Sequence, residues 1–166
     1  MYPRPTKLRA TIQDWKQMMI VAFHKNRVLG YRILARNTNV NFEIYLDFLS
    51  QVILPAIKRL RIHRPIILHD NARPHKHSKV EEFFVRHRWE ELKHPPYSPD
   101  LNPCDYDGIY KIKRPNKDKR LNTPDELEAA YKEVIDEINL NGSTTGIGHL
   151  PLRWALVNQT GGEYIH

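Results

Sequence analysis

A chain of 166 residues, 40% of them hydrophobic, is the size of one domain and can bury a core of its own. Its formal charge of +7 suits a polyanionic partner, and residues 1–65 carry twelve Lys or Arg against only Asp14, Glu43 and Asp47. The lone Cys104 excludes an internal disulfide and a cysteine-based zinc cluster, and neither a bilayer-length apolar run nor a signal-peptide core is present, so we expect a soluble intracellular chain with no membrane partner.

Residues 1–15 read as a basic, proline-containing arm without periodicity. Apolar runs at 18–23 and 28–34, separated by the polar HKNR turn, predict an antiparallel hairpin. Asn41 is placed to cap a helix carrying Phe42, Tyr45, Leu46, Leu49, Ile53, Ile57 and Leu60 on one stripe, which Pro55 should kink or locally break. The apolar run 65–68 predicts a short buried strand that brings Asp70 to its carboxyl end, the edge where sites in α/β sheets form. Ser78 then caps a helix with Val80, Phe83 and Phe84 facing inward, and a short strand follows near Trp89 and Leu92.

The connector HPPYSPDLNP has too many prolines for a regular helix or a central strand, and Pro103 opens a helix that carries Asp105. Thr123, Pro124 and Glu126 make a capping pattern for a helix with Leu127, Ala130, Tyr131, Val134 and Ile138 behind it. Residues 139–148 read as a glycine-containing loop. A short last helix is expected at about 151–157 around Trp154, ended by Gly161 and Gly162.

The chemistry centres on Asp70 and Asp105, with thirty-four residues between them. Two ionised carboxylates within about 4 Å repel by roughly 4 kcal/mol at an effective dielectric near 20, so a fold that converges them needs a cation or a shared proton. Mg²⁺ or a similar hard ion answers that need through oxygen ligands, and paired ions of this kind serve phosphoryl transfer. On spacing alone, a turn at Asp70 and a first-turn helix acid at Asp105, both common structural roles, are the favoured account of the pair.

Asp100 and Asp107 read as structural, because Asp100 lies in the SPD turn and a helix points Asp107 away from Asp105. His69, Asn71 and His75 surround Asp70 and fit either a ligand-orienting or phosphate-touching role or a turn network. Arg73 and the run Lys111, Lys113, Arg114, Lys117, Lys119 and Arg120 are candidate phosphate contacts, with a solvated basic face as the bland alternative. Tyr97, Tyr106 and Tyr110 fit base stacking or packing. The histidines form no HExxH-like pair, which argues against zinc.

HDNARPH followed by HPPYSPDLNPCDYD resembles the paired signatures of mariner-family DNA transposases, and GIGHLPLRWALVNQTGGEYIH is similar to that family's closing segment. The resemblance covers nearly all of residues 16–166. It implies an α/β fold, an RNase H-like mixed sheet flanked by helices, in a DDE/D-type catalytic domain. Asp70 and Asp105 would be the second and third of three catalytic, metal-binding acids, with Mg²⁺ or Mn²⁺ as cofactor and no small-molecule cofactor. Arg73, His75, Lys111, Lys113, Arg114 and Lys117 would contact the DNA backbone.

The implied reaction is metal-dependent cleavage and strand transfer of DNA in cut-and-paste transposition and integration, in the nucleus. In the family the first acid lies on a strand some forty residues before the hairpin, whereas seventeen residues precede Met18 here and Asp14 lies too close to match. His24 sits at a strand end, but the matching family position is not a catalytic acid. The expectation is therefore an N-terminally truncated domain with activity impaired by the missing first acid. The alternatives are a remnant that binds DNA without cutting it, and a protein-association domain whose exposed sheet edge pairs with another chain, a second copy included.

Overall fold

The computed structural model describes residues 17–117, 119, 121 and 123–164, so the arm at 1–15, Asp14 and Arg120 lie outside the described residues. Strands β1 (Met19–His24) and β2 (Arg27–Ile33) pair antiparallel as the two apolar runs predict. A bulge between Ala22 and Phe23 shifts the register, pairing Ala22 with Gly30 but Phe23 with Val28.

The hairpin is the middle layer of the molecule. Ile20, Ala22 and Leu29 pack into one core cluster, while Met19, Val21, Phe23, Val28 and Tyr31 join a second. Successive strand residues point to opposite faces, so a run as continuous as MIVAF is what a strand covered on both sides requires.

The first cluster is supplied by α1 (Phe42–Phe48), a π-helical turn (Leu49–Ile53) and α2 (Leu54–Arg59), which follow one another without a break. Asn41 caps α1 as expected, its Oδ1 accepting from Ile44 N–H at 2.8 Å. Pro55 has no N–H to give and its ring crowds the preceding turn, and the chain meets this with the wider turn in which Leu54 N–H donates to Leu49 O. That turn lies against the hairpin at Gly30, where a Cβ would come within 2.5 Å of Val52 Cγ1.

Strand β3 (Ile66–Leu68) runs parallel to β4 (Glu90–Leu92), and α3 (Ser78–His87) crosses between them. Val80, Phe83 and Phe84 of α3 are buried as predicted, but the cap is His77, whose Nδ1 accepts from Lys79 N–H, and Ser78 is the first helical residue. Among the described residues the strands form two ladders, β1–β2 antiparallel and β3–β4 parallel.

Beyond the connector lie a 3₁₀ turn (Pro99–Leu101), a π-helical turn (Cys104–Gly108) and α4 (Ile109–Lys113). Helix α5 (Pro124–Asn141) places Val134, Ile135 and Ile138 with fully buried Ile112 in the second cluster. Two expectations need correction. Residues 139–148 are not one loop, because α5 runs through Asn141, and the last helix, α6 (Gly146–Gln159), begins five residues before Pro151. A carboxylate remote in sequence starts α6 early: Asp107 Oδ2 accepts from Gly146 N–H at 2.9 Å, so Pro151 falls inside the helix instead of opening it.

The Thr123 cap stands as predicted, its Oγ1 accepting from Glu126 N–H at 3.2 Å. Thr123→Ala is expected to cost about 1 kcal/mol, seen as a melting point lower by roughly 2–4 °C in a calorimetric scan.

Candidate metal and nucleic-acid site

Both acid-bearing segments leave the carboxyl edge of the β3–β4 pair. Asp70 lies two residues past Leu68, and Asn71 Nδ2 donates to His94 O at 2.9 Å, tying the loop after β3 to the loop after β4. Its own turn closes when Asp70 Oδ1 accepts from Ala72 N–H at 3.0 Å.

Behind Asp70 stands an aromatic and ionic network rooted in the core. Tyr45 Oη lies 2.9 Å from His69 Nδ1, and His69 Nε2 lies 3.2 Å from Glu91 Oε1, which also pairs with Lys76. Burial, with the nearby His75, pushes the His69 pKa down, so the ring is neutral; since a carboxylate only accepts, Nε2 carries the proton and Nδ1 accepts from Tyr45. Burial in turn pushes the Tyr45 phenol up, leaving it a firm donor.

Asp105 is set by a residue the sequence reading passed over. Buried Asn102 donates from Nδ2 to Asp105 Oδ2 at 2.8 Å, accepts from Cys104 N–H at 3.1 Å through Oδ1, and accepts from Asp105 N–H at 2.9 Å through its carbonyl. The turn carrying Asp105 is then clamped from outside. Tyr106 Oη donates to Gly146 O at 2.6 Å, and Arg153 covers the Tyr106 ring while donating to Asp100 O at 3.1 Å. Asp107 is structural as expected, since it caps α6 and pairs with Lys111.

The two acids respond to opposite surroundings. The hydrogen bond from His75 outweighs burial and, with Ala72 N–H, holds Asp70 down to about 2. Burial pushes Asp105 up; Asn102 opposes it and the charge of Asp70 adds to it. Their fields meet at Cys104, whose thiol burial and the two carboxylates push up to about 12, so it stays protonated and is no nucleophile.

His94, whose backbone O takes the bond from Asn71, is buried, with Nε2 lacking a hydrogen-bond partner among the described residues. A pair of carboxylates fits a hard divalent ion that takes oxygen ligands and keeps water in the rest of its shell. Among the described residues no group of three or more His, Cys, Asp or Glu could hold a metal, so Asp70 and Asp105 would supply two of its ligands.

The basic candidates divide. Arg73, Lys113, Arg114 and Lys117 are exposed, and the charge of Lys113 reaches Asp105. Lys111 is committed inward to Asp107 and Ser143 O, and His75 to Asp70. Tyr106 packs under Arg153, Tyr110 lies beside Arg114, and Tyr97 is fully exposed.

Residues 4–127 match the family model of the DDE superfamily endonuclease. The chain belongs to that family. It is 35% identical to the human histone-lysine N-methyltransferase SETMAR over 98% of this chain and 24% of that protein. To the mariner Mos1 transposase of Drosophila mauritiana it is 30% identical, over 90% of this chain and 45% of that one. Its fold matches the crystal structure of the Mos1 mariner paired end complex with Mn, at a TM-score of 0.86 and 28% identity, covering all of this chain and 51% of that one. The chain thus spans less than half of either curated relative. The endonuclease family and the mariner resemblance agree, and the mixed α/β fold is the RNase H-like one of the Mos1 catalytic domain.

Proposed function

We propose that this DDE endonuclease chain carries the catalytic core of a mariner-type transposase, which cuts and joins DNA with a divalent ion. The observation that carries this reading is that Asp70 and the connector leading to Asp105 leave the same carboxyl edge of the parallel strand pair, their loops tied where Asn71 Nδ2 donates to His94 O at 2.9 Å. Asp70 and Asp105 would hold Mg²⁺ or Mn²⁺. When bound, such ions activate the attacking oxygen and stabilise the leaving one in phosphoryl transfer. The first family acid has no counterpart among the described residues, and the reading requires it from outside them.

The remaining residues position and bind. Asn102 orients Asp105, and the His69 network backs Asp70. Exposed Arg73, Lys113, Arg114 and Lys117 would neutralise backbone phosphates without reading sequence. The mariner homology and the paired-end Mos1 structure support DNA and a second copy of the chain as partners. A chromosomal substrate carries with it a nuclear site of action, and residues 16–166 would form the catalytic domain.

The test is nicking of supercoiled plasmid by the full chain in Mg²⁺ or Mn²⁺. Cleavage that disappears with chelator, with Asp70→Ala and with Asp105→Ala is expected. Metal-independent cleavage, or none in either ion, would overturn the catalytic reading and leave a DNA-binding homologue. For DNA binding, we expect the logarithm of affinity to fall linearly with the logarithm of salt concentration, and Lys113→Ala and Arg114→Ala each to reduce the slope by about 1. Unchanged slopes would remove those residues from the interface.

A further inference from the structure

We propose that His75 is a positioning residue that fixes which oxygen of Asp70 faces the divalent ion. The proposal rests on the metal reading above and deepens it. His75 Nδ1 lies 2.7 Å from Asp70 Oδ1 and 3.2 Å from Asp70 O, and both of those atoms can only accept. The proton is therefore on Nδ1, and it points at Asp70.

The ring has little freedom to do otherwise. It stacks on His69 at 4.7 Å with planes 3° apart, and Tyr45 closes on it at 4.3 Å. His69 is fixed in turn by Tyr45 and Glu91 and lies against Phe84 of α3. The orientation of His75 is thus inherited from α1, α3 and β4, elements of the core, and passed to a carboxylate on an exposed loop.

Its consequence lies in the division of Asp70's oxygens. Oδ1 receives both Ala72 N–H and His75 Nδ1–H, whereas Oδ2 has no hydrogen-bond partner among the described residues. A carboxylate's terminal torsion is broad and two-fold, so an untethered Asp70 would sample many orientations. Tethered at Oδ1, it presents Oδ2. A phosphate-contacting role fits His75 less well, because its ring faces are covered and its Nδ1 is taken.

Two substitutions separate donation from packing. His75→Phe keeps the stack on His69 and loses the donor, while His75→Asn places an amide N–H near the position of Nδ1 and loses the stack. The full chain and both variants would be titrated with Mn²⁺ by calorimetry, and the Ala72 amide proton followed by NMR without metal. His75→Phe should weaken Mn²⁺ binding about 10- to 100-fold and His75→Asn by under about tenfold. The Ala72 amide should lose its hydrogen-bonded shift and exchange faster in His75→Phe only. A His75→Phe chain that binds Mn²⁺ like wild type, or keeps the Ala72 signal, overturns the proposal, as does equal loss in both variants, which would make the role one of packing. A wild-type chain that takes up no Mn²⁺ overturns the metal reading instead, and the Ala72 signals then decide separately whether His75 orients the carboxylate.

Discussion

In saturating Mn²⁺ the chain is expected to melt about 5–10 °C higher than in chelator, and Asp70→Asn and Asp105→Asn are each expected to abolish that gain. An ion at about a hundred times its Kd that binds only the folded state adds roughly 2.7 kcal/mol, and a chain of this size gains about 2–4 °C for each kcal/mol. Without metal the two variants should part. Asp70 is held down to about 2, chiefly by His75, so its ionisation supports the fold above the ordinary carboxylate range, and this support fades as the pH falls from about 4 through 2. At neutral pH Asp70→Asn therefore melts lower than wild type.

Asp105 has the opposite sign. Burial raises its pKa, so it favours the fold most below the ordinary range and loses that contribution as the pH rises through the raised value. At neutral pH Asp105→Asn, which can keep an oxygen toward Asn102, should melt no lower than wild type in chelator. Fluorescence melts of three proteins with and without Mn²⁺ check all of this. A metal gain retained by either variant would exclude that acid as a ligand.

The fold was most legible where neighbours in the chain decide the structure. The continuous apolar hairpin, the caps at Asn41 and Thr123, and the position of the strand into Asp70 all follow from residues within a few positions of each other. That strand is not buried as expected, since Ile66 is exposed at the rim of a ladder that has two strands among the described residues. The pair Asp70 and Asp105 stood out as a candidate too, first as an ambiguous spacing and then through the mariner resemblance. What escaped was determined at a distance. Asp107 starts α6 from thirty-nine residues away, where a local reading took Pro151 as the opening residue. Tyr45, twenty-four residues before His69, reads as one more apolar stripe position until its hydroxyl needs a partner. Asn102 reads as part of a proline connector, although the next turn places its side chain against Asp105.

Gly108→Ala is expected to destabilise the chain by about 1–3 kcal/mol, lowering the melting point by roughly 2–12 °C, against the direction that helix propensity alone would give. In an open helical position the change would gain about 1 kcal/mol, since glycine is the costlier helical residue. Gly108 is not open. It is buried in the π-helical turn that carries Asp105, and a Cβ there would lie 2.3–2.7 Å from three atoms of the Phe23 ring. Phe23 cannot simply yield, because β1 holds its backbone and its ring packs into the cluster around Ile112 and Val134.

Overpacking should therefore outweigh propensity. If the turn shifts instead of the ring, Asp105 shifts with it and the Mn²⁺ gain falls as well. Phe23→Leu in the Gly108→Ala background separates these effects, because shortening the ring relieves the overlap. The double variant should be more stable than the two single losses sum to, by an interaction of about 0.5–3 kcal/mol, and should recover part of the metal response. Strict additivity, or a Gly108→Ala chain that melts above wild type, would show that the hairpin does not seat the Asp105 turn through this contact.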